Sequence, residues 1–255
     1  MSLIKTHGLV LKSIDYGEAD KIITLFSNNL GKIQVLAKGS RRPKSRLMTA
    51  IQTFCLGEYV LFKGKGSLYI LSQCDVQQTF YNLRTNLERL SAASYILNLC
   101  REVVQEQEAN TLLFTLTVSC LNLLCYSHIQ PSIIVTAFEV KMLGVIGYRP
   151  HTVSCVLCSG DLKGQIAFSA GLGGVVCSSC RFKDPHSLKI SHGTLNTLRY
   201  IQDTDIKKIS RIKINESTMN ELDRILTLFI ARRLEKIFKS KDFMKTVFGD
   251  LKKEV

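Results

Sequence analysis

Residues 7–37, HGLVLKSIDYGEADKIITLFSNNLGKIQVLA, decide how the amino-terminal part of this chain reads. His7 to Ser13 alternates, with Leu9 and Leu11 on one face and Val10 and Lys12 on the other. A period of two is the mark of a strand whose faces meet different surroundings. Asp20 to Phe26 and Lys32 to Ala37 are β-rich runs, and Asn28-Asn29-Leu30-Gly31 between them has the composition of a hairpin turn. Further along, Glu58 to Lys63 and Ser67 to Ser72 flank Gly64-Lys65-Gly66, which predicts a second hairpin.

Five short strands with glycine turns in residues 1–80 predict a small closed barrel. The OB-fold is the commonest barrel of this size. An SH3-like barrel has the same periodicity, and the pattern alone leaves the choice open. After Phe80 the spacing becomes helical: Leu83, Leu87, Leu90, Ala93, Ile96 and Leu97, then Leu112, Leu116, Cys120, Leu123 and Leu124. The second of these helices also carries Phe114, Val118, Leu121 and Cys125. It is apolar nearly all round, which predicts a helix central to its domain. Pro131 opens a third helix, Ile133 to Leu143, ended by Gly144 and Gly147. Two more helices are expected after a loop-rich segment, one from Ser191 and one over Glu216 to Phe238 with Asn215 as its cap.

The loop-rich segment holds Cys155-Val156-Leu157-Cys158 and Cys177-Ser178-Ser179-Cys180. Two residues between cysteines let both thiolates turn toward one ion, and the intervening chain brings the second pair opposite. This is the spacing of a four-thiolate zinc site. A redox CxxC wants a βαβ surround that is missing from the pattern, and iron–sulfur sites space their cysteines differently. Four thiolates close the shell, so the expected zinc is structural. Cys55, Cys74, Cys100, Cys120 and Cys125 lie in apolar patterns and read as buried thiols. The expected division is a barrel at 1–80, a helical domain in two parts at 81–148 and 187–255, and a zinc module inserted at 149–186.

Charge points to a polyanionic partner. Lys and Arg number 34 against 21 Asp and Glu, a formal net charge of +13. Lys38-Gly39-Ser40-Arg41-Arg42-Pro43-Lys44-Ser45-Arg46 carries five positive charges and no acid, directly after the strand Lys32 to Ala37. A flexible basic loop beside a curved face suits a single strand, with phosphates on the cations and bases stacked on Phe26, Tyr59, Phe62 or Tyr69. The cations at Arg232-Arg233, Lys236, Lys239 and Lys241 read as a solvated helix face.

Other classes find little support. No signal-peptide pattern follows Met1, which places the protein in the cytoplasm. The run from Ala109 to Phe138 lacks charges but is broken by polar residues and Pro131, so it reads as two buried helices and not as a span. No phosphate-binding GxxxxGK[ST] occurs, and the five histidines are not at HExxH spacing. Asp15, Glu18 and Asp20 lie close together, but as a nuclease site they lack a partner cluster.

The segments His7-Gly8-Leu9-Val10-Leu11-Lys12 and Tyr16-Gly17-Glu18-Ala19-Asp20-Lys21 resemble the start of the bacterial RecO family of DNA repair and recombination mediators. The likeness runs on through Thr24-Leu25-Phe26-Ser27, Gly31-Lys32 and Ala37-Lys38-Gly39-Ser40-Arg41-Arg42, then Phe138-Glu139, Leu143-Gly144, Gly147-Tyr148-Arg149-Pro150 and the cysteine set. The resemblance implies an α+β multidomain protein: an OB-fold barrel followed by an all-α domain with an inserted four-cysteine zinc module. It also implies binding of single- and double-stranded DNA and annealing of complementary strands, without covalent catalysis. With RecR, such a protein helps load RecA onto DNA coated by single-strand-binding protein, whose tail contacts the helical domain. The basic residues carried over are Lys32, Lys38, Arg41 and Arg42, with Lys44 and Arg46 as neighbours. A cytoplasmic, nucleoid-associated location follows from that role.

Overall fold

The computed structural model of the chain describes residues 3–63 and 68–251. Five strands, β1 (Leu3–Tyr16), β2 (Asp20–Ser27), β3 (Gly31–Ala37), β4 (Leu56–Lys63) and β5 (Leu68–Gln78), form a closed barrel in the order β1-β2-β3-β5-β4. Two pairings close it. β1 runs antiparallel to β4 from Leu3↔Phe62 to Leu9↔Leu56, and β3 meets β5 in parallel at Gln34↔Leu68 to Leu36↔Ile70. Periodicity left the barrel type open; this strand order is that of the OB-fold. The predicted Gly64-Lys65-Gly66 turn lies outside the described residues, while β4 and β5 on either side of it pair antiparallel.

The barrel interior is filled by Val10, Ile23, Leu25, Ile33, Val35, Tyr59, Leu61, Tyr69 and Leu71. Val10 faces this core, and Leu9 and Leu11, on the other face of β1, are buried as well. The cause is α1 (Leu87–Val103), which packs on β1 and covers its outer face. A bulge between Val10 and Lys12 then returns the strand to solvent, leaving Lys12 exposed.

Packing divides the chain into two compact units, Met1–Cys125 and Tyr126–Val255. α1 and α2 (Thr111–Tyr126) therefore group with the barrel, except for the last residue of α2. Leu83 is not part of α1. It sits in a separate 3-10 turn, Tyr81–Thr85, entered through a left-handed Phe80 and left at Asn86, whose side chain caps α1 by accepting from Arg89 N. The segment between α1 and α2 lies against the start of β3: Lys32 N donates to Gln105 O, and Gln107 N donates to Lys32 O. Gly31 makes this approach possible, with φ +66° and an added Cβ falling 2.2 Å from Glu108 O.

In the second unit the helices are α3 (Pro131–Val145), α4 (His192–Asp203), α5 (Glu216–Leu234) and α6 (Lys239–Leu251). The helix buried on almost every side is α3, with Ile133 to Val140 all buried. The sequence reading gave that place to α2, but Leu112 and Thr115 of α2 are exposed. As predicted, Pro131 stands at the first turn of α3, Asn215 caps α5 and a helix starts at Ser191, which proves to be the cap of α4. The helix expected to reach Phe238 stops at Leu234 because Glu235 turns left-handed, and α6 follows as a helix of its own. Lys241 of α6 is a correction to the expected solvated face. It is 4% exposed, and its Nζ lies 2.6 Å from Glu139 Oε1 of α3 and 3.3 Å from Asp223 Oδ1 of α5. Among the described residues no helix is long and apolar enough to cross a membrane.

Candidate nucleic-acid interface and metal centre

The connection from β3 to β4 starts at Lys38. Lys38, Arg41, Arg42, Lys44 and Arg46 are all exposed. The loop was expected to be flexible; instead it is a chain of hydrogen-bonded turns, with Arg42 N donating to Gly39 O, Ser45 N to Arg42 O and Met48 N to Ser45 O. Lys44 takes a positive φ of 65°, which turns the chain within it. The loop is also tied to the turn between β1 and β2. Gly39 N donates to Asp20 Oδ1 at 2.7 Å, Arg41 N to Ala19 O at 2.9 Å, and Arg41 Nη1 to Gly17 O at 3.0 Å. Its far end is anchored by apolar burial, since Ala50, Ile51, Phe54 and Cys55 are buried and Ile51 joins the barrel core.

Two acids near this loop, Asp15 and Asp20, have partners. Asp15 lies 3.0 Å from Lys21 Nζ and 3.5 Å from Arg41 Nη2. The hydrogen bond from Lys21 is the main reason its carboxyl is held below the usual range, and the Arg41 charge adds to it. Asp20 caps the loop. Among the described residues, Asp15, Glu18 and Asp20 do not form a metal-holding cluster.

Lys32 stands apart from the loop cations, with its Nζ donating to Arg101 O at 2.8 Å. The aromatic platform expected from the sequence is mostly absent. Phe26, Tyr59 and Tyr69 are at most 5% exposed. Phe26 packs edge-on against Phe114, and Tyr59 donates its hydroxyl to Ala50 O at 2.8 Å, so both belong to cores. Phe62 is half-buried. The ring that faces solvent beside the loop is Tyr16, 53% exposed at the end of β1 and next to the Gly17 carbonyl that holds Arg41. An aromatic at a strand end beside a turn that binds a basic loop was the available signal.

In the second unit, Cys155, Cys158, Cys177 and Cys180 converge so that all four Sγ atoms lie within 4.8 Å of one another. These four could hold a metal ion. Cys158 Sγ and Cys177 Sγ are 3.8 Å apart. A tetrahedral ion with Zn–S bonds of about 2.3 Å requires sulfurs about 3.8 Å apart, so the donor set fits such an ion. The two turns are built by backbone: Ser159 N donates to Cys155 O with φ 56° at Ser159, Cys155 N donates to Gly160 O, and Cys180 N and Arg181 N both donate to Cys177 O. Cys177 N also donates to Cys155 Sγ at 3.4 Å. Burial pushes the Cys155 thiol up, but backbone N–H groups of Cys177, Leu157 and Cys158 outweigh it and bring the thiol down to about 6. The Cys180 thiol is pushed up to about 12, first by its hydrogen bond with Cys158 and then by burial.

The module around the sulfurs is a three-stranded sheet of β6 (Ile166–Ser169), β7 (Gly174–Val176) and β8 (Leu188–Ile190) in the order β7-β6-β8. His151 bridges to Gly174 through backbone bonds, while its ring hydrogen-bonds Ser154. Of the other cysteines, Cys55, Cys100, Cys120 and Cys125 are buried and Cys74 is half-buried. Burial pushes the Cys74 and Cys100 thiols up to about 12, so they are kept protonated.

Comparison with known proteins agrees with this layout. Residues 1–80 match the family model described as Recombination protein O N terminal, and residues 84–242 match Recombination protein O C terminal. DNA repair protein RecO of Acetivibrio thermocellus is 38% identical over 97% of this chain and 98% of its own length. The protein of the same name from Alkaliphilus metalliredigens is 37% identical over 96% of this chain and all of its own, and that of Clostridium perfringens is 34% identical over 97% and 99%.

Proposed function

Because the chain belongs to the RecO family of DNA repair proteins, we propose that it is a recombination mediator that binds DNA on its barrel and performs no covalent chemistry. The observation that carries this reading is the display of Lys38, Arg42, Lys44 and Arg46, exposed on a loop that hydrogen bonds fix to the β1–β2 turn. A loop backbone held in place loses little freedom when phosphates arrive, and each phosphate neutralised by its cations releases counterions. Arg41 contributes charge while holding the loop. Lys32 contributes less directly, since its ammonium already serves Arg101 O. Contacts confined to phosphates leave base edges free to pair with a second strand. Annealing of complementary single strands then reduces to proximity and charge screening, and the same phosphate contacts serve double-stranded DNA.

In this reading residues 1–80 are the DNA-binding domain. Residues 81–148 and 187–255 form the helical parts, and 149–186 are the zinc module. Cys155, Cys158, Cys177 and Cys180 would hold one zinc ion, which with four thiolates supplies rigidity and no reactive position. RecR, the tail of single-strand-binding protein and, through them, RecA are the expected partners, in the cytoplasm at the nucleoid. The test is fluorescence anisotropy of a labelled single strand at two salt concentrations without nucleotide. Tight binding that collapses at higher salt supports the reading. Absence of binding at low salt overturns DNA recognition and favours a protein adaptor.

A further inference from the structure

Next to the basic loop lies a cleft of about 600 Å³, lined by Ser13, Lys21, Ser40, Arg41, Met48 and Arg84 among others. Building on the reading of the barrel as a DNA-binding surface, we propose that this cleft receives one nucleotide unit of the bound strand, its phosphate seated among Lys21, Arg41 and Arg84. The three cations come from three separate places: β2, the loop, and the 3-10 turn after β5. Like charges gathered around one hollow repel unless an anion joins them. Among the described residues no acid lines the cleft. Asp15 reaches Lys21 and Arg41 from the side, but it is an exposed carboxylate, paired with a half-buried Lys21 and an exposed Arg41, and ion pairs open to water are worth little. A phosphate offers more acceptor oxygens and a shape that matches the guanidinium fork.

The serines are a second, independent sign. Ser40 is 1% exposed, and its hydroxyl and that of Ser13 are buried without a hydrogen-bond partner. A buried hydroxyl left unpaired is destabilising, so apolar residues would be the better choice if nothing were bound. Both serines line the cleft, so a phosphate seated there supplies the acceptor that their O–H groups lack. Met48, 48% exposed, offers the attached sugar or base an apolar wall. The size also suits a nucleotide, since small-ligand sites run from roughly 300 to 1,000 Å³.

The experiment measures binding of oligothymidine with either a 5′-hydroxyl or a 5′-phosphate, across a salt series, to wild type, Arg84→Ala, Ser40→Ala and Asp15→Asn. Arg84 is exposed and donates to Thr53 O at 3.4 Å, so the melting temperature of Arg84→Ala is measured alongside to separate a loss of fold from a loss of binding. Arg84→Ala is expected to weaken binding about tenfold at low salt and to reduce the slope of log K against log salt by about one. Ser40→Ala should weaken binding severalfold with the slope unchanged, and Asp15→Asn should strengthen it. Equal losses on both strands place an in-chain phosphate in the cleft, and a loss confined to the phosphorylated strand places a terminal phosphate there. If wild type binds and depends on Arg42 and Arg46, yet Arg84→Ala and Ser40→Ala change neither affinity nor slope, the cleft proposal is overturned alone. If wild type binds no strand at all, both readings fall.

Discussion

The barrel and the cysteine module are both small β structures, and they are held together in different ways. The barrel closes on itself, so its strands satisfy one another, and its interior is packed with branched aliphatic and aromatic side chains. The cysteine module is an open sheet of short strands. On its sulfur side the core consists of Ala167 and Val176 with Cys155, Cys177 and Cys180, and Val156 and Leu162 at the edge. So little apolar surface cannot offset the entropy of ordering the loops around it. The other face does have a packing partner, as Phe168 meets Phe229 of α5 edge-on at 5.5 Å. The barrel therefore stands by packing, and half of the module stands by whatever joins four sulfurs.

The sharpest way to break this comparison is to take away the ion that the four sulfurs could hold. Binding energies of structural zinc are of the order of 10 kcal/mol or more, and that energy is folding energy. Chelation, or Cys155→Ser with Cys177→Ser, should release amide protection from about residue 150 to 187 while protection in β1–β5 persists. Hydrogen exchange read by mass spectrometry checks this. Retained protection around the cysteines after chelation would mean that packing alone holds the module.

The second unit also contains a polar device that the barrel core lacks. Lys241→Ala would leave Glu139, 1% exposed, with its main cation gone, at a cost of about 3–5 kcal/mol. Lys241→Met combined with Glu139→Leu should recover most of that loss. Urea unfolding followed through the helices measures both. A single mutant with wild-type stability would contradict the ion pair as the anchor of α6. On the barrel side, Gly31→Ala combines a positive φ with a clash against Glu108 O. It should cost about 2–3 kcal/mol and lower protection at Lys32, Gln105 and Gln107 before the barrel itself opens.

The two regions also differed in how much of them the sequence disclosed. The cysteine cluster was legible in full because CxxC spacing constrains geometry locally. Strand positions were legible, although β5 runs six residues past the expected Ser72, but the barrel type was not, because closure depends on β3 meeting β5, a pairing with no local mark. The hidden helix was assigned to α2 from its composition, whereas burial of α3 depends on three other helices. The aromatic platform failed for a related reason: Phe26, Tyr59 and Tyr69 alternate toward cores as strand residues do, and nothing in a lone strand says which face is wet. The cleft was out of reach, since Arg84 meets Lys21 and Arg41 only after the chain has folded. Lys241 looked like one more surface cation because its carboxylates, Glu139 and Asp223, are distant in sequence.

The central claim is that the cations on this tethered loop bind a DNA strand, and Arg42→Glu with Arg46→Glu tests it most directly. Neither side chain holds the loop in the way that Arg41 does, so the circular dichroism spectrum and melting temperature should match wild type. Anisotropy with a labelled single strand should show binding weakened by about a hundredfold at low salt and a salt slope reduced by about two. Affinity and slope equal to wild type, with the fold intact, would contradict the account.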